Sequence, residues 1–220
     1  MAYSTVGIIN VALQKIGVGR IAALDESSEQ AIAANAVWEY IRDEVLQAKE
    51  WWFAKARAAL AQNDTSPTHG YDYAYTLPAD FLRLCKDKKG DPAVYPSGLL
   101  ASSYIAGDTI IKLPTYSYTI EALPDGTICL FTDYDNSSND LYIRYIRKIT
   151  DPQKFTAMFI SALAFRLAAE LAIPRTEGLK KYKAMMEMYS QALLMADSVN
   201  QSGDYQKNET GDDSWERAGR

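Results

Sequence analysis

Residues 31–48 read AIAANAVWEYIRDEVLQA, and within them Ala31, Ala34, Trp38, Ile41, Val45 and Ala48 recur at alternating steps of three and four. That spacing places one narrow apolar seam on one face of a helix, and a seam of this kind needs a partner to cover it. Near the other end Leu179, Tyr182, Met186, Tyr189, Leu193 and Ala196 repeat the rhythm. Between the two lies a Tyr-rich, turn-rich region that reads as short strands. The pattern predicts an α+β chain: a helical bundle built from N- and C-terminal helix pairs, with an inserted antiparallel β module. The expected boundaries are helices in 1–52, the β module in 53–150, helices in 151–200 and a flexible tail in 201–220.

Working outward, a first helix is expected after Ser4 or Thr5, with Val6, Ile9, Leu13 and Ile16 on one face and Gly17 and Gly19 as stops. Ser27 followed by Gln30 has capping-box spacing for the second helix. Trp51, Trp52 and Phe53 form a bulky cluster where the chain leaves the helices. The stretch from Phe53 to Ala61 alternates and is read as a strand despite its alanines. Further strands are expected near Tyr71–Tyr75, continuing after a turn at Pro78 through FLRLC, then near Ser102–Ile105, Asp108–Leu113, Tyr116–Leu123, Thr127–Thr132 and Leu141–Lys148, forming a small sandwich or barrel-like module. Asp151-Pro152 is expected to open the third helix and Thr176 to cap the fourth.

Composition limits the function classes. The 220 residues carry 23 Lys and Arg against 28 Asp and Glu, a net charge of -5. This balance argues against a surface built to grip nucleic-acid phosphates, though not against a wall that DNA passes. Cys85 and Cys129 lack CxxC spacing and read as two reduced, partly buried thiols. The start, MAYSTVGIINVALQKIGVGR, has no basic and apolar secretory pattern. The apolar run Phe155–Ile173 holds Arg166 and Glu170 and reads as the central helix of a soluble core rather than a membrane span.

No reactive constellation stands out. The acid pairs Asp25/Glu26, Asp43/Glu44, Asp133/Asp135 and Asp212/Asp213 are sequence neighbours, whereas glycosidases need carboxylates opposed across a cleft. Asp133-Tyr-Asp135-Asn136-Ser137 opens like a calcium loop, but lacks the turn glycine and has Arg144 at the closing position. The single histidine, His69, falls in the loop QNDTSPTHG. No catalytic, cofactor-binding or metal-binding residue is therefore expected.

The order of segments does resemble a known family. IINVALQKIG (8–17), LDESSEQAIAANAVWEYIRDEVLQAKEWWFAKARAALA (24–61), YTLPADFLRL (75–84), LYIRYIRKITDPQKFTAMFISALAFRLAAELA (141–172) and DDSWERAGR (212–220) together are similar to phage head-to-tail adaptors. In particular they look like the tail tubular protein A family of short-tailed phages. The resemblance implies a structural virion protein without cofactor, made in the host cytoplasm and residing in the neck of the particle. It implies self-assembly into a ring, typically a dodecamer, below the portal protein and above a distal tail or nozzle protein, with DNA passing through unbound by sequence. It also implies that the tail docks on the portal, making Tyr205, Trp215, Arg217 and Arg220 the candidate contacts. Two alternatives are a phage tail-associated polysaccharide hydrolase and a cytoplasmic helical interaction module.

Overall fold

Each of the first three helices begins where a side chain can cap it. In the computed structural model of the chain, which describes residues 3–67, 69–86, 94–96, 103–106, 109–112, 117–135, 140–173 and 178–203, the Ser4 hydroxyl accepts the Gly7 N–H at 3.0 Å. This opens α1 (Thr5–Lys15). Gly17, at φ 74°, ends it with a left-handed residue. The Asn10 side chain then clamps the following loop through both its polar atoms, donating to Ile21 O at 2.9 Å and accepting from Ile21 N at 2.8 Å. The second helix, α2 (Glu29–Ala48), is capped by Ser28 and not by Ser27, with Ser28 Oγ accepting from Ala31 N at 3.2 Å. Glu26, upstream, takes the Ser28 hydroxyl and the Ala22 N–H, so the expected capping box is replaced by a loop carboxylate acting from the other side.

The strands follow: β1 (Lys55–Gln62), β2 (Tyr73–Thr76), β3 (Phe81–Leu84), β4 (Val94–Pro96), β5 (Ser103–Ala106), β6 (Thr109–Lys112), β7 (Tyr118–Ala122), β8 (Ile128–Thr132) and β9 (Leu141–Arg147). Asp151 does not open a full helix. It caps one tight turn, Pro152–Lys154, because Phe155 then turns into the core, where it meets Phe159 at 4.6 Å between ring centroids. Thr156 is the real cap, accepting from Phe159 N at 3.3 Å, and starts α3 (Ala157–Ala172). The last helix is α4 (Gly178–Gly203); the expected cap Thr176 lies outside the described residues.

The expectation of a helical bundle with a small β insert needs correction. The chain is α+β, but its strands form one large antiparallel sheet ordered β3-β9-β1-β2-β8-β7, with β4 also paired to β9, curled into a half-barrel. The hairpin of β5 and β6 is a separate two-stranded sheet. Nor do the N-terminal helices form a pair: α1, α2 and α4 each pack on α3. The physical reason lies in α3, whose buried residues occupy most of its circumference, so it serves as the shared partner of every seam. The sheet completes the same core. Trp51, Phe53, Ala54, Cys85, Ile146 and Ile149 belong to one apolar cluster with the helices. Trp51 joins the layers, its ring packed edge-on to Phe159 at 5.1 Å and its indole N–H donating to Val45 O at 2.8 Å.

A second cluster covers one face of the sheet. Leu60, Tyr75, Leu130, Leu141, Ile143 and Tyr145 alternate inward along their strands. The Tyr75 hydroxyl reaches Tyr134 O at 2.6 Å, satisfying a buried polar group.

Gly178 sets the approach of α4 to α3. A Cβ there would lie 2.5 Å from both Ala172 O and Ile173 O, which are backbone atoms that cannot swing aside. Gly178→Ala should lower stability by about 1–3 kcal/mol. The check is the urea midpoint, with an unchanged midpoint counting against this close packing.

Candidate functional site

The polar groups that sequence reading singled out are dispersed by the fold. Asp43 and Glu44 turn to different partners. Asp43 pairs with Arg42 at 2.8 Å and Lys148 at 3.2 Å, while Glu44 accepts from Arg166 Nε at 2.9 Å. Glu26 is spent on loop N–H groups, and Asp133 accepts from Asp72 N at 3.3 Å. His69 is exposed. Among the described residues no group of three or more His, Cys, Asp or Glu is placed to hold a metal ion. Tyr205, Trp215, Arg217, Arg220 and the pair Asp212/Asp213 lie outside the described residues. No described helix is long and apolar enough to cross a membrane.

A groove of about 430 Å³ opens beside the turn between β2 and β3, lined by Thr76, Leu77, Pro78, Ala79, Phe81, Thr127 and Ile128. Its walls are hydrocarbon and hydroxyl groups, a lining without an acid or base to move a proton.

A dense charged centre among the described residues of the helices is structural in its geometry. Arg166, 12% exposed, bridges Glu44 of α2 and, one turn along α3, Glu170 at 2.9 Å. Burial works against its charge, but the hydrogen bonds to Glu44 and Glu170 outweigh that and hold the guanidinium firmly protonated. On α2, burial and then the nearby Glu170 carboxylate push the Tyr40 phenol up. On α4, Tyr189 lies close enough to Glu44 for its phenol to be pushed up to about 12 by burial and that negative charge. Three helices thus meet at one ion pair network.

The cysteines are free and buried, in different parts of the core. Burial, then the charge of Glu50, pushes the Cys85 thiol up to about 11. Burial likewise raises Cys129. Both thiols are held away from the thiolate form that nucleophilic chemistry uses.

What the fold leaves open is surface. On α2, Ile32 and Tyr40 are 61% and 49% exposed, although the same helix buries Ala31, Ala34 and Trp38. On α4, Met188 and Leu194 are 40% and 68% exposed, while Tyr189, Ala192 and Ala196 are buried. Trp52 is 66% exposed between the buried Trp51 and Phe53. The sequence reading treated the three bulky residues as one cluster and assigned no role to Ile32 or Leu194. Their position one step off the seam was the available signal.

No model of a known protein family matches the chain, and no curated protein matches its sequence.

Two outcomes test this electrostatic picture. Arg166→Met should cost about 1.5–3 kcal/mol, since it strands two carboxylates that now accept charged hydrogen bonds; thermal unfolding measures it. For Cys85 the sign follows from a raised folded value: the protonated thiol is favoured by folding. Its contribution is complete below the ordinary thiol range and is lost as pH rises toward about 11. Denaturation across alkaline pH should therefore show a declining stability whose slope is shallower in Cys85→Ala.

Proposed function

We propose that the chain is a structural virion protein, a head-to-tail connector subunit that forms a ring below the portal and continues the DNA channel. The observation that carries this reading is the exposure of large apolar side chains on two different helices, Ile32 and Tyr40 on α2 and Met188 and Leu194 on α4. Subunits of a closed ring meet head to side, so each must offer two different surfaces that remain apolar until assembly. The resemblance of the ordered segments to tail tubular protein A supplies the identity of the ring. In this reading the neighbours are copies of the chain itself, the portal above and a nozzle protein below. Residues Tyr205, Trp215, Arg217 and Arg220 form the portal contact.

Mass spectrometry of gradient-purified, DNA-filled particles from the source, normalised to the portal, tests the assignment. A near-equal, ring-like ratio is expected, and absence from intact particles rejects it. Removal of the residues after Gly203 should abolish portal binding while leaving the thermal unfolding of the remaining chain unchanged. Undiminished binding would overturn the tail contact alone.

A further inference from the structure

Helix α2 is apolar on its outward side as well as on the side it packs. Ile32, Ala36 and Tyr40 follow one another at four-residue steps, so they form one row on the helix surface. All three are exposed, Ile32 by 61% and Tyr40 by 49%. Two exposed acids border the row: Glu29 stands one turn before Ile32, and Glu39 one turn after Ala36. Arg42 is the one Lys or Arg of α2, and it is 2% exposed. The outward surface of the helix therefore carries acids with no cation of its own between them.

The first two turns of α4 are built the other way. Leu179 is 68% exposed, and Lys183, four residues on, stands beside it, with Lys180 one turn back from Lys183. Lys180 and Lys183 are exposed, whereas Lys181 is spent on the end of α1, donating to Ile16 O at 3.1 Å. Glu187, one turn beyond Lys183, is the first acid of α4. Among the described residues Glu29, Glu39, Lys180 and Lys183 take part in no ion pair. One molecule thus holds an apolar row edged by acids and an apolar residue flanked by cations, and does not join them.

We infer that the Ile32–Tyr40 row of α2 receives the Leu179 end of α4 from a second copy of this chain. Leu179 packs on the row, and Lys180 and Lys183 meet its acidic border. Apolar burial supplies the attraction, and charge complementarity sets partner and orientation. A second copy is chosen over an unrelated protein because both halves of the match lie on this chain. The same charges oppose pairing like with like, since two α2 rows would set acid against acid and two α4 ends lysine against lysine. The two surfaces differ, so a copy can give its α4 to one neighbour and take the α4 of another. The inference names the surfaces that the ring reading calls for, and rests on that reading only for closure of the contact into a ring.

The test is sedimentation velocity of the full chain over a range of concentration and salt. Self-association should weaken as salt rises, because exposed charges are screened. A variant carrying Glu29→Lys and Glu39→Lys should associate about tenfold or more weakly, and so should one carrying Lys180→Glu and Lys183→Glu. An equimolar mixture of the two should regain association to within about twofold of the unaltered chain, since each variant then finds opposite charge on the other. That recovery also shows both variants to be folded. Glu121→Lys, the same charge change on the exposed part of β7, should alter association less than about twofold. A chain that stays monomeric at low salt, or a mixture that fails to recover, overturns the inference. A loss confined to the α2 variant overturns it in favour of a basic surface other than the start of α4. Particle composition is read separately: a chain present in particles that fails this assay sinks only the contact between α2 and α4. A chain that recovers in the mixture yet is missing from particles sinks only the connector.

Discussion

Ten of the sixteen residues of α3 are buried, among them Phe159, Leu163, Ala164, Leu167 and Ala168. A helix with so little polar surface is stable only when neighbours cover it on nearly every side. This requirement organises the molecule: α1, α2 and α4 approach it along their seams, and the chain between α2 and β1 supplies Trp51 and Phe53 to close the remaining end. Small residues on α3, such as Ala162, Ala168 and Ala172, permit the close approach. The sheet is consequently not an appendage. Its β9 strand delivers Ile146, with Ile149 just beyond it, into the same cluster, so helices and strands are expected to lose their packing together.

Charge plays a narrower part. The Arg166 network ties α2 to α3 and reaches α4 through Tyr189. Partly buried ion pairs of this kind contribute modestly to net stability, because desolvation offsets much of the attraction. Their directional hydrogen bonds instead favour one rotational setting of the helices over its neighbours. Apolar seams of alanine and leucine would discriminate such settings poorly.

Much of the element map was legible in residues alone. The three-four spacing of Ala31 to Ala48 gave α2, and the partial alternation of KARAALA, ambiguous between helix and strand, leaned to β1 in spite of alanine's helix preference. The turn Pro124-Asp125-Gly126 was readable because Gly126 adopts φ 86° and Asp125 accepts the Thr127 N–H. The tertiary arrangement was less accessible. A seam announces that a helix has a partner but not which one, so covering by a common central helix looks the same as pairing within a bundle. The boundary of α3 was displaced because Asp151-Pro152 carries the same capping signals for a single turn as for a full helix. Arg57 and Arg144 are far apart in the chain, and only strand register, which local pattern does not set, brings them together.

Trp51 and Trp52 are covalent neighbours in opposite surroundings, one 1% exposed and fixed by its bond to Val45 O, the other 66% exposed. Indole emission shifts to longer wavelength and becomes accessible to aqueous quenchers when the ring meets water. The molecule therefore carries, at adjacent positions, a shielded emitter and an open one. The first reports whether helices and sheet are still joined. The second reports whether anything has come to lie against the outside of that junction, so once Trp38 and Trp215 are replaced, optical spectroscopy can separate unfolding from assembly without an added dye.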